Sequence, residues 1–174
     1  MSRIKLATIW LDGCSGCHMS LLDLDEGLLS LAQHCDLVYS PLVDATEFPE
    51  GVDVALVEGA VSSQEDLARL KTVRARSRVL VALGDCATTG NVPAMRNVYP
   101  VRQILERVYV EGAVIPVIPS AGVPPLLPQA RPPREFVAVD VHLPGCPPKP
   151  QAILGVLQDL LQGRLPKLAE VQFG

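Results

Sequence analysis

Aromatic side chains are scarce, with Phe, Trp and Tyr together making up 4% of the 174 residues. The core must therefore be assembled from Leu, Val, Ile and Ala. No apolar run approaches the roughly 20 residues that a membrane helix requires, so a helical span is not expected. Basic residues are not in excess: 15 Lys and Arg against 19 Asp and Glu give a net charge of −4. That balance leaves no electrostatic footprint for nucleic acid. Disorder is excluded by the opposite argument, since 48% of the chain is hydrophobic and the mean hydropathy is +0.27. Internal repeats and composition breaks are also missing, which predicts a single domain over residues 1–174. The opening stretch Met1 to Trp10 is too short for a secretory signal and has neither a small-residue cleavage site nor a twin arginine. The expectation is a cytoplasmic protein, in a compartment where disulfides are rare and cysteines more often carry metal or redox chemistry.

Cysteine is the informative residue. Four of the five fall just past segments with strand character: Cys14 and Cys17 in Gly-Cys-Ser-Gly-Cys, Cys86 in Gly-Asp-Cys-Ala, and Cys146 in Pro-Gly-Cys-Pro-Pro. The three groups are about 70 and 60 residues apart, so only a folded chain brings them together. Parallel strands do this directly, because their C-terminal ends open on one edge, where ligands of open α/β sheets bind. Four thiolates converging there make a site for one [4Fe–4S] cluster. Cys35, between a predicted helix and a predicted strand, is expected to be a small buried hydrophobe.

Hydrophobic patterning supplies the strands. Apolar runs of strand length lie at Ile4 to Leu11, Asp36 to Leu42, Val52 to Val57 and Val79 to Leu83, and an alternating run spans Phe136 to Leu143. Helical spacing marks Met19 to Gln33, a helix after Ser62 and Ser63, a stretch near Val101 to Tyr109, and Gln151 to Leu161. The resulting order predicts an α/β fold, a flavodoxin-like doubly wound parallel sheet with the iron–sulfur site at its C-terminal strand edge. Seven prolines within residues 116–133 predict a stiff extended loop, either a surface excursion or a partner-binding arm.

Cys14 and Cys17 alone leave two readings open. A strand followed by Cys-x-x-Cys at a helix mouth also describes a thiol–disulfide oxidoreductase. A helix N-terminus favours thiolate for either purpose. Cys86 and Cys146 weigh against that enzyme, which has no use for two further cysteines at this edge. Four-cysteine zinc sites normally show two short Cys-x-x-Cys knuckles, and only one is present. A flavodoxin-like sheet also raises FMN, but the loop after the first strand offers cysteines where a phosphate cradle would be rich in Ser and Thr. Asp12 and Glu58 fall at strand ends too. Each could accept hydrogen bonds beside a cluster, help pass protons, or cap a helix. His18 follows the second cysteine and His142 precedes Leu-Pro-Gly-Cys; a lone histidine is more often a structural hydrogen-bonding residue than a ligand. Lys149 could offset the charge of a thiolate-bound cluster or stand in a solvated turn.

Taken in order, Cys-Ser-Gly-Cys after Trp-Leu, Val-Glu-Gly, Gly-Asp-Cys-Ala-Thr-Thr-Gly-Asn-Val-Pro-Ala and Leu-Pro-Gly-Cys-Pro-Pro-Lys-Pro resemble the small subunit of [NiFe]-hydrogenases. The resemblance implies that Cys14, Cys17, Cys86 and Cys146 hold the proximal [4Fe–4S] cluster and that the Ni–Fe centre belongs to a large-subunit partner. A short chain with no cysteine after Cys146 and no twin-arginine signal is most similar to the small subunit of the NAD-reducing bidirectional hydrogenases. That form implies a second partner, a diaphorase module carrying flavin and further clusters. The cluster-binding subunit of respiratory complex I shares several of these motifs, but it typically shows adjacent cysteines at the N-terminal site.

Overall fold

The computed structural model describes residues 3–166; Met1, Ser2 and residues 167–174, the two ends of the expected domain, lie outside the described residues. Five parallel strands form the main sheet: β1 (Ile4–Trp10), β2 (Cys35–Tyr39), β3 (Val52–Glu58), β5 (Ser77–Leu83) and β7 (Val141–Leu143), in the order β2-β1-β3-β5-β7. This is the flavodoxin-like order, with its reversal of winding between β1 and β3. On one face lie α1 (Gly16–Leu22), α2 (Glu26–His34) and α7 (Pro150–Leu161); on the other lies α3 (Gln64–Arg76).

Alternation along each strand divides the core in two. Leu6, Val54, Leu56, Val81 and Leu83 face Leu21, Leu31, Ile153 and Leu157 on one side. Ala7, Ile9, Ala55, Val57 and Leu80 face Leu70 and Val73 on the other. Each fully buried Leu or Val adds about 1.5–3 kcal/mol relative to an exposed one, so a strand buried on both faces is apolar nearly throughout. The same parity places Thr8 and Glu58, polar residues in otherwise apolar strands, on the α1 side.

Local chemistry sets the helix boundaries. Ser63 and Asp66 form a capping box that starts α3: the Ser63 hydroxyl accepts from the Asp66 amide at 3.0 Å, and the Asp66 carboxylate accepts from the Ser63 amide at 2.9 Å. At the other end of α3, Arg74 donates to Asp140, whose carboxylate also accepts the Leu80 amide at 2.8 Å and so fixes the approach to β7.

Several expectations from the sequence need correction. The helix expected over Met19 to Gln33 is two helices, because Asp25 adopts φ +48° and breaks the run between α1 and α2. The second strand is displaced, starting at Cys35 and stopping at Tyr39. Phe136 to Leu143 is a strand only over Val141–Leu143; Phe136, Val137 and Val139 pack over the α3-side core as irregular chain. The helix α6 (Val101–Glu106) passes into a π turn at Arg107–Glu111. Part of the proline-rich stretch is a strand, β6 (Leu126–Arg131), paired antiparallel with the short strand β4 (Val61–Ser63). Proline is tolerated there because both strands are edges. Two short helices after β5, α4 (Asp85–Thr89) and α5 (Asn91–Ala94), had no periodic signal to announce them. Among the described residues no helix is long and apolar enough to cross a membrane.

Replacing Leu56, 1% exposed in the central strand, with Ala should cost about 2–5 kcal/mol. Ser63→Ala should cost only about 1 kcal/mol, the value of one cap. Urea unfolding followed by circular dichroism reads both, and the reverse ranking would contradict this account of the core.

Candidate functional site

The edge of the sheet at its C-terminal end is built by backbone approaching backbone. Leu11 donates its amide to Glu58 at 2.9 Å, and Asp12 and Ala60 exchange amide–carbonyl bonds at 3.0 and 2.7 Å. A Cβ on Gly59, which has φ +93°, would lie 2.8 Å from the Asp12 backbone, so only glycine permits this clasp. The Asp12 carboxylate accepts the Ser62 hydroxyl and helps lock the two loops.

From this clasp the chain enters α1 through Ser15, which has φ +61°, and delivers Cys14 to the surface and Cys17 to the interior. Glu58 ends β3 directly beneath. Its carboxylate, 1% exposed, accepts the His18 amide at 3.0 Å and the Cys17 amide at 3.4 Å, and it hydrogen-bonds the His18 ring. The acid thus ties the Cys17 turn to the sheet.

Cys86 and Cys146 arrive by a second clasp. Gly84 donates its amide to Leu143 at 2.7 Å, Asp85 donates to Gly145 at 2.9 Å, and Gly145 returns its amide to the Asp85 carboxylate at 2.7 Å. Cys86 sits in the first turn of α4, partly buried, and Cys146 lies exposed on the loop that Asp85 holds. The Asn91 amide reaches the Cys146 sulfur at 3.7 Å. The Ser20 hydroxyl donates to the Pro148 carbonyl and joins α1 to the same loop.

The two halves meet at Gly84. A Cβ there would lie 2.2 Å from the Cys17 sulfur and 3.4 Å from the Gly145 carbonyl, so the missing side chain is the space the sulfur occupies. The four thiols also sense one another. Burial pushes the Cys17 thiol well above its usual range, followed by repulsion from Glu58, Cys86, Cys14 and Cys146. Cys86 is raised by burial and by Cys146, Cys14 and Glu58, partly offset by a backbone hydrogen bond from Val92. Thiols that penalise one another's ionisation suit a cationic centre, which reverses the penalty. Among the described residues no three His, Cys, Asp or Glu side chains stand close enough to grip a single metal ion.

The other candidates separate. Cys35 is buried opposite Ile4, at the far end of β1 from Cys14, as a small apolar residue would be. His142 lies on β7 beside Ala82; its pKa is lowered by burial and then by Arg134, and its Nδ1 lacks a partner among the described residues. Lys149 is exposed at the start of α7. Asp85 and Asn91 were not anticipated. Asp85 carried a signal nonetheless, an acid directly after the apolar strand β5, where a buried carboxylate needs donors.

The family described as NADH ubiquinone oxidoreductase, 20 kDa subunit, matches residues 14–160. One subunit of the vhu F420-non-reducing hydrogenase of Methanocaldococcus jannaschii is 40% identical over 168 residues, covering 95% of this chain and 58% of that protein. The delta subunit of the NAD-reducing hydrogenase HoxS of Cupriavidus necator is 41% identical over 170 residues, covering 93% of this chain and 80% of its own length. Against the F420-non-reducing hydrogenase relatives of the methanogens the chain thus spans somewhat more than half their length. A chain of an NAD+-reducing [NiFe]-hydrogenase crystallised in the H2-reduced state superposes with a TM-score of 0.94 at 39% identity, covering 99% of this chain and 100% of that one. By the family match and by these identities, the chain belongs to the NADH ubiquinone oxidoreductase 20 kDa subunit family, alongside the hydrogenase subunits just named.

Proposed function

We propose that this chain is the electron-transfer small subunit of an NAD(P)-reducing [NiFe]-hydrogenase. In this reading Cys14, Cys17, Cys86 and Cys146 hold one [4Fe–4S] cluster. Its partners are a large subunit that carries the Ni–Fe site and a flavin- and cluster-bearing diaphorase. The observation that carries the reading is the convergence of the four cysteines on one edge of a fold that matches the hydrogenase chain over its whole length. A bound cluster supplies a one-electron carrier between the two partner sites. The chain's own residues do the rest.

Cys17 is the buried anchor, held through its amide by Glu58, while Cys14 and Cys146 face outward and Cys86 sits between. Hydrogen bonds to sulfur and nearby charge tune the potential of such a group. Asn91 beside Cys146 provides the first, and Glu58 beside Cys17 the second. Of the two acids singled out as proton-path candidates, Glu58 stands at the cysteines, whereas Asp12 is committed to the Ser62 hydroxyl. A cytoplasmic location accords with NAD(P) as the acceptor.

The deciding measurement is the nickel, iron and zinc content of the complex isolated anaerobically through a tag on this chain. Nickel with abundant iron is expected; zinc alone would overturn the cluster reading, and iron without nickel would favour a complex I-like relay. Cys86→Ser should leave nickel in place yet lower hydrogen-linked NAD(P) reduction by at least about tenfold, and full activity would sink the ligand assignment. Gly84→Ala, which drives a methyl against the Cys17 sulfur, should lower the iron of the complex by about the share of one cluster. Gly112→Ala meets nothing within 4 Å and should leave iron content unchanged.

A further inference from the structure

Behind the cysteine edge runs a buried polar chain that the electron-relay reading does not require. His18 is 5% exposed, and its two ring nitrogens are both engaged: Nδ1 with the Glu58 carboxylate, Nε2 with the Thr8 hydroxyl at 3.0 Å. Thr8 in turn donates to the Ser40 hydroxyl at 2.9 Å, and Ser40 accepts the Leu42 amide at 3.2 Å. Thr8 and Ser40 are 1% and 3% exposed. These groups cross a layer otherwise made of apolar side chains. Well-packed apolar residues of similar volume would serve stability as well or better, so stability alone does not account for the chain. Its end point does: the acid it holds is the acid that grips the Cys17 turn.

We infer that His18 is a positioning residue that fixes the Glu58 carboxylate on the Cys17 and His18 amides and so sets the reduction potential of the redox group on the four cysteines. The inference rests on the cluster reading above. Glu58 is the foremost charge acting on Cys17, and nearby charge is one of the things that set such potentials. The His18 ring spreads the charge of the carboxylate. Without it, an electron arriving at the cysteines meets a less compensated negative charge, and the potential falls.

A cavity of about 330 Å³, lined by Thr8, His18 and Ser40 together with Leu21, Leu31 and Leu37, borders the ring and leaves room for an altered side chain. The test is a redox titration of the anaerobically isolated complex, followed by electron paramagnetic resonance of the cluster on this chain. His18→Leu should move the midpoint to more negative potential with iron content near that of the native complex. His18→Gln, which restores a donor to Glu58, should move it back. Thr8→Val removes only the Nε2 partner and should give a smaller shift in the same direction; it carries the test if His18→Leu does not assemble. A native midpoint in both His18→Leu and Thr8→Val overturns the inference, as does a loss of iron in which the remaining clusters keep the native midpoint. If the native complex shows no iron–sulfur signal from this chain, the cluster reading itself falls, a failure visible before any variant is made.

Discussion

Trp10, Glu58, Leu83 and Leu143 lie side by side across the sheet, each paired in parallel register with its neighbour. Everything at the site depends on that alignment. Four strands ending level release four loops at the same height, and the cysteines follow three of those exits within a few residues. A slip of one residue in β3 would turn Glu58 to the α3 face and leave a carboxylate among Leu70 and Val73, so the register is strongly specified. The apolar strands thus do more than fill a core: their double-faced burial holds the edge in place.

That frame was largely legible in the sequence, because β1, β3 and β5 are apolar runs of strand length and α3 and α7 begin at clear signals. The cysteines could be assigned to one edge for the same reason. The failures share a cause, which is tertiary contact overriding local pattern. Asp25 splits a helix that periodicity ran together, and Val61–Ser63 becomes a strand only because Leu126–Arg131 returns to pair with it. No local rule places a proline-containing segment against a partner more than 60 residues away. Phe136 to Val139 shows the converse, apolar residues packed on the core without any ladder.

At the site itself residue types were readable and roles were not. Glu58 and Asp12 looked equivalent as acids at strand ends, yet one is buried under Cys17 and the other bonds a serine in a loop clasp. Burial separates them, and burial depends on which face of β3 meets α1. His18 was similarly ambiguous, because its value lies in Thr8 and Ser40, partners from β1 and from the exit of β2 that share its layer.

The clasp at Asp85 has a mechanical meaning. Because Asp85 binds Gly145 at both its amide and its carboxylate, Cys86 and Cys146 travel together as one jaw. Cys14 and Cys17 form the other jaw, braced by Glu58 and by the Gly59 contact. The jaws touch at Gly84 against the Cys17 sulfur, with the Ser20–Pro148 hydrogen bond spanning them on the α1 side. The two pairs of cysteines are thus held by separate sets of hydrogen bonds, and the pairs meet at the Gly84–Cys17 contact and the Ser20–Pro148 bond.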